Sequence, residues 1–293
     1  MTVSFGKIAA ASLFAIATMA ATSSGAARAE EGDGPAATLE LVDPHVFRVC
    51  ADPRNLPFSN EAGEGFENKI AELFSKKLDK KTAYAWYPGA PGFVRNTLNA
   101  HKCDVIIGFP QGDDIAQVTN PYYRTAYALV FKPGSGLDHV ESLDDPILKT
   151  KRIGIVAGTP PATFMAREGL LAKAKSYLLT IDTRIDSTSQ EMFKDLESGE
   201  IDAGILWGPI AGYYAKNANP KLAITLLTKE QGGPRLAFRI GMGVRTSDQD
   251  FKRLLNRMIQ ENQHDIDAIL LDYGVPLLDE KDQPITSASL NKK

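Results

Sequence analysis

Arg48-Val-Cys-Ala-Asp-Pro-Arg-Asn-Leu-Pro-Phe-Ser-Asn60 is the stretch whose reading decides the fold. An apolar run over residues 46–50 breaks into a segment crowded with Asp, Pro, Asn and Ser, which reads as a strand ending in a tight turn. Downstream, Phe66, Ile70, Leu73, Phe74 and Leu78 recur at helical spacing and give one buried helix face. A second helical segment, 93–100, leads into Asp104-Val-Ile-Ile-Gly108, a short apolar strand. Asn120-Pro-Tyr-Tyr-Arg124 then opens a third apolar run, 125–131. Strand, helix, helix, strand and crossing strand build one lobe of a ligand-binding clamshell. The order restarts at Arg152, so two lobes are expected.

The second half repeats the plan with different residues. Arg152-Ile-Gly-Ile-Val156 is a strand, and Gly158-Thr-Pro-Pro161 opens a helix over 162–174, with Thr159 placed to cap it. A strand is expected at 178–181. Ser187-x-x-Gln190 is a capping box before a helix over 191–198 that Gly199 ends. Strand 201–206 runs into Trp207-Gly-Pro209, followed by a helix over 210–218 and a strand over 222–227. Strand 239–245 returns to the first lobe. Ser247 would cap a helix buried through Phe251, Leu254, Leu255, Met258 and Ile259, and a helical turn or two follows over 265–273. Strands alternating with helices give parallel sheets with right-handed crossovers. The expected division is a signal peptide at 1–29 and a flexible arm at 30–44. The first lobe takes 45–131 and 244–278, the second 132–243 with its hinge segments, and a loose polar tail spans 279–293.

The signal peptide rests on Lys7, an apolar run over 8–21 and the small-x-small triplet Ala27-Arg28-Ala29. That run is shorter than the ~20 apolar residues a spanning helix needs. Beyond it remain 31 basic and 36 acidic residues, a net charge of −5. Such a balance argues against nucleic acid or a membrane surface as partner. Cys50 and Cys103 fit neither a redox pair nor a zinc pattern. An exported chain favours joining them. The coarse strand register sets them several residues apart at ~3.3 Å each, which argues against it. Both readings stay open.

No G-x-S-x-G, G-x-x-x-x-G-K or H-E-x-x-H motif occurs. The four histidines (45, 101, 139, 264) are scattered. Asp113-Asp114 and Asp144-Asp145 lack the alternating carboxylates of a calcium loop. No metal or cofactor site is expected in the chain itself.

Leu56-Pro-Phe58, Gly65-Phe66, His101-Lys-Cys-Asp104-Val-Ile-Ile107 and Asn120-Pro-Tyr-Tyr123 resemble the signatures of type II periplasmic solute-binding proteins. In the second lobe, residues 152–159 and Leu196-Glu-Ser-Gly-Glu-Ile-Asp-Ala203 are similar to the corresponding ones. The resemblance covers about residues 46–273. It implies an α/β, two-lobed fold, each lobe a mainly parallel sheet flanked by helices, joined by two crossing hinge strands. Amino-acid-binding members place an Arg soon after the Asp-(apolar)3 strand and an Asp at the end of the second lobe's strand. Here the segment reads Phe109-Pro-Gln-Gly-Asp-Asp-Ile-Ala-Gln117, and Trp207 takes the place of the Asp.

The residues 48–60, Gly65-Phe-Glu-Asn-Lys-Ile70, Gly92-Phe-Val-Arg-Asn-Thr-Leu-Asn99 and Tyr273-Gly-Val-Pro-Leu-Leu278 resemble the J-type proteins associated with methanol dehydrogenase. That resemblance implies a periplasmic, non-enzymatic accessory of a pyrroloquinoline-quinone (PQQ) dehydrogenase of calcium or lanthanide type. The partner would be the dehydrogenase, including its apo or partly folded form, with a small-molecule ligand as a second occupant.

Ligands meet the C-terminal ends of strands in open α/β sheets. The candidate cleft residues are therefore Asp52, Phe58, Phe109, Gln111, Tyr122, Thr159 and Trp207. Asp52 reads more readily as a turn cap than as a ligand contact. Phe58 either stacks on a ligand or covers Phe66. Tyr122 and Tyr123 more often brace a crossing strand. Trp207 suits an apolar ligand or a protein side chain, against the plainer role of filling its lobe. A transport receptor for a non-amino-acid solute is the alternative function, and a binding-fold enzyme such as a dehydratase a more distant third.

Overall fold

The structure is a computed structural model, and it describes residues 39–179, 182–183 and 187–290. The expected signal peptide at 1–29 lies outside them, as does the arm up to residue 38.

The first lobe contains β1 (Val46–Ala51), the ribbon β2 (Arg54–Asn55) and β3 (Ser59–Asn60), α1 (Phe66–Lys77), β4 (Lys81–Trp86), the single turn α2 (Phe93–Asn96), β5 (Ile106–Pro110) and β6 (Gln117–Val118). β7 (Tyr123–Phe131) crosses to the second lobe. That lobe holds β8 (Ile153–Val156), α3 (Pro160–Arg167), β9 (Lys175–Tyr177), α4 (Thr188–Ser198), β10 (Ala203–Trp207), α5 (Gly208–Asn217) and β11 (Ala223–Leu226). β12 (Ala237–Val244) crosses back, and α6 (Gln249–Glu261), α7 (Gln263–Asp272), β13 (Leu277–Leu278), β14 (Pro284–Ile285) and α8 (Ser287–Leu290) complete the chain. None of the described helices is long and apolar enough to cross a membrane.

β1 pairs in parallel with β4, and β8 pairs in parallel with both β9 and β10. The crossing strands tie these sheets together. Residues 123–126 of β7 pair antiparallel with residues 240–237 of β12, while residues 127–131 pair with β10. β12 continues past β7 to pair with β5 and β6. β7 therefore belongs to both lobes, and its change of partner falls at Ala126 and Tyr127. The pleat sorts side chains by parity. Leu129 and Phe131 enter a core with Phe164 and Ile205, while Ala128 and Val130 enter another with Met192 and Leu206. The first lobe packs Phe47, Phe66, Ile70 and Phe74 against Phe251 and Leu255 of α6.

Several expectations need correction. β4 carries no fully buried side chain, so its apolar signal is weak and the sequence pattern passed over it. The helices expected over 93–100 and 162–174 are shorter, and a 3-10 turn at Leu170–Lys173 replaces the end of the second. The strand expected at 178–181 lies earlier, at β9, leaving Leu178 and Leu179 exposed; residues 180 and 181 lie outside the described residues. Ser187 caps α4 through the Gln190 N–H as expected. Ser247 does not cap α6. Glu40 does, its carboxylate accepting the N–H groups of Asp250 and Phe251 at 3.2 and 2.9 Å. The Val42 N–H donates to Asp104, which pairs with buried Arg245, so residues 40–42 of the expected arm are tied down. The tail is not loose either: β14 pairs with β13, and α8 follows.

Cys50 and Cys103 form a disulfide with Cα atoms 5.3 Å apart. Val49 lies beside Val105 in parallel, which would leave Cys103 far behind Cys50 if the chain ran straight. Residues 101–104 instead bend before the strand begins, and the bend brings Cys103 across.

Candidate functional site

β1 and β5 of the first lobe and β10 of the second deliver their C-terminal ends to one cleft, with the crossing strands as its floor. Its first-lobe side holds a cavity of about 480 Å³. Its walls are the rings of Phe58, Phe93, Tyr123, Tyr127, Trp207 and Phe238. Trp207 meets Tyr127 edge-on at 5.2 Å and Phe238 edge-on at 5.7 Å, the geometry that aromatic quadrupoles favour. Among the described residues, no lysine, arginine or histidine lines this cavity. Its acids are Asp52 and Glu67.

Asp52 is nearly fully buried at the end of β1. Its carboxylate accepts the Arg54 N–H at 2.8 Å and the Gly89 N–H at 2.6 Å. The Thr183 hydroxyl, from the second lobe, donates to it at 3.0 Å. The turn-capping role is therefore present, and a link between the lobes is added to it.

Glu67 was not among the candidates read from the sequence. It lies in the first turn of that helix, and Gly108 of β5 makes room for it: a Cβ at position 108 would stand 2.1 Å from Glu67 Oε1. None of the described residues donates a hydrogen bond to this carboxyl. Burial, reinforced by the nearby charge of Asp52, pushes its pKa up to about 8. At neutral pH the group is mostly a neutral acid. The available signal was indirect: a Gly at a strand end facing the start of a helix.

A second chamber of about 450 Å³ adjoins it on the second-lobe side and shares Asn55, Gly89, Tyr127 and Trp207 with the first. Thr159, Thr183, Ser187, Thr188, Ser189 and Gln190 make it polar. Two prolines occupy the first positions of α3 behind Thr159, whose hydroxyl donates to the Val156 carbonyl at 2.6 Å. The cleft is thus aromatic on its first-lobe side and more polar on its second-lobe side, not apolar throughout.

Of the residues singled out from sequence, Asp52, Phe58 and Trp207 line the aromatic cavity, and Thr159 lines the second chamber. Phe58 also packs on Phe66, ring centroids 5.3 Å apart. Phe109, Gln111 and Tyr122 line neither chamber. Ile106, Gly108 and Pro110 face the cavity, so Phe109 turns away into the cluster around the disulfide. Gln111 turns back and donates to the Thr119 carbonyl at 3.1 Å. Tyr122 is buried with its hydroxyl on the Ile107 carbonyl, and its neighbour Tyr123 takes the cleft position. Among the described residues, no three His, Cys, Asp or Glu side chains gather as a metal site would require.

No protein-family model matches the chain. It is similar to the crystal structure of the periplasmic binding protein XoxJ from Methylobacterium extorquens AM1, at 42% identity and a TM-score of 0.69, over 80% of this chain and 100% of that one. MxaJ from Methlophaga aminisulfidivorans MPT is 26% identical with a TM-score of 0.68, over 79% of this chain and all of the other. Protein MoxJ of Methylorubrum extorquens AM1 is 29% identical over 285 residues, 92% of this chain and 93% of MoxJ.

Proposed function

The chain belongs to the XoxJ, MxaJ and MoxJ family of periplasmic binding proteins, and from that premise we propose that it is a non-enzymatic accessory of a PQQ-dependent methanol dehydrogenase. It acts in the periplasm after removal of residues 1–29. It assists maturation or activity of the dehydrogenase by receiving part of that protein in the cleft between its lobes. The observation that carries this reading is the aromatic cavity built around Trp207, lined by no basic side chain among the described residues. A free amino acid brings a carboxylate, and the described residues lining this cavity offer it two acids and no basic side chain. An aromatic pocket is the setting in which a side chain of a protein partner anchors.

The test is dehydrogenase activity per unit of dehydrogenase protein in periplasmic extracts. Deleting the gene lowers it. Trp207→Ala and Phe58→Ala lower it too, while the purified variants keep their folded far-ultraviolet spectrum. Unchanged specific activity in the deletion strain, with lost uptake of a small solute, would replace this reading with that of a transport receptor.

A further inference from the structure

We propose that the aromatic cavity is a receptor for an organic ammonium group, carried by a free amine or by a lysine side chain. This rests on reading that cavity as the working site, and it adds the chemistry of the occupant.

Three observations converge on it. The first is the wall. Six aromatic rings surround the space, and the faces of Trp, Tyr and Phe attract cations that have left water. The second is the charge. Asp52 and Glu67 are the lining acids, and among the described residues no base lines the cavity beside them. An anionic ligand would meet two acids, and a neutral apolar one would leave Glu67 buried without a partner. The third is the placement of Glu67 itself. Its carboxyl lies over Gly108 inside the cavity and receives no hydrogen bond from the described residues. An ammonium group answers all three, with its alkyl part against the rings and its charge against the carboxylate.

A hard metal ion fits less well. Calcium takes six to eight oxygen ligands. Asp52 already receives Arg54, Gly89 and Thr183, and the ring walls add few oxygens.

The titratable groups that act on Glu67 or feel its charge are Asp52, Tyr84, Tyr122 and Tyr123. Burial holds all three tyrosines above their usual range, so they stay neutral. A bound cation must displace the proton that burial keeps on Glu67. Affinity therefore rises with pH up to about 8, and binding below that releases a proton.

The experiment is calorimetric titration of the purified full chain at pH 8.5 and pH 6. The probes are butylammonium, tetramethylammonium, N-acetyl-lysine methylamide, neutral 1-butanol and butyrate. The expected result is saturable binding of an ammonium probe, at least tenfold tighter than 1-butanol and weaker at pH 6, with no binding of butyrate. Binding confined to the capped lysine assigns the site to a protein side chain; binding of the small amines assigns it to a free amine. Glu67→Gln preserves shape and weakens ammonium binding at least tenfold. Gly108→Ala, which crowds the carboxyl from its place, weakens it as well. Butanol binding as tightly as butylammonium, unchanged affinity in folded Glu67→Gln, or no saturation by any ammonium probe overturns the proposal. Those results leave the accessory role standing if deletion still lowers dehydrogenase activity. Ammonium binding together with an unimpaired dehydrogenase would instead remove the accessory role and keep this inference.

Discussion

Thr183 Oγ1 lies 3.0 Å from Asp52 Oδ2 and 3.1 Å from Oδ1, so a loop of the second lobe donates to the carboxylate that ends the leading strand of the first. Asp52 is at the same time held by the backbone of Arg54 and Gly89. The acceptor is fixed, and the donor arrives from the other side of the cleft. This is a closing contact placed at the cavity's edge.

Removing it should open the lobes. A hydrogen bond to a charged group contributes ~1.5–3 kcal/mol. Thr183→Val keeps the shape and deletes the donor, so it shifts the closed-to-open ratio by roughly tenfold or more. Small-angle scattering of the free protein reads this as a larger radius of gyration, with Thr183→Ser close to wild type. Equal radii for Thr183→Val and wild type would show that this contact does not hold the lobes.

Glu67 should make stability depend on pH. The unfolded chain releases this proton near the ordinary value of 4.5, and the folded protein holds it to about 8. Between those values the unfolded state binds fewer protons, so stability falls as pH rises and levels above about 8. Glu67→Gln lacks this dependence. Its melting temperature should therefore gain on wild type between pH 5 and pH 8.5, at ~2–4 °C per kcal/mol for a chain of this size. A difference that stays constant with pH would place the carboxyl in ordinary solvent. Thermal melts at pH 5, 7 and 8.5 decide it.

The disulfide closes a long loop, with 53 residues of separation between Cys50 and Cys103. Loop-closure entropy for that length gives a stabilisation of about 4 kcal/mol. Replacing both cysteines with serine should lower the urea midpoint accordingly, and reductant should act the same way on wild type. A midpoint unmoved by either treatment would mean that the link leaves the unfolded chain unconstrained.

The lobes and their order were legible because Phe66, Ile70 and Phe74, and later Phe251, Leu255 and Ile259, repeat at helical spacing and are all buried. Trp207 was legible because a strand end beside Gly-Pro points an aromatic at the crevice. What failed was parity. Phe109 and Tyr122 each sit one residue from the position that faces the cavity, and a single step along a strand reverses the side chain. Glu67 was invisible for another reason. Its role depends on Gly108, forty-one residues later, and on a contact between helix and strand that no local pattern records. Glu40 as the cap of α6 is hidden in the same way, since its partners lie more than two hundred residues ahead.

Gly108 also decides where the acid of Glu67 sits. A Cβ at 108 would stand 2.1 Å from Glu67 Oε1, the free end of a flexible side chain that can rotate aside. A larger residue at 108 would therefore leave an acid at 67 in the chain but move its carboxyl elsewhere, so the glycine sets the address of that group rather than its presence.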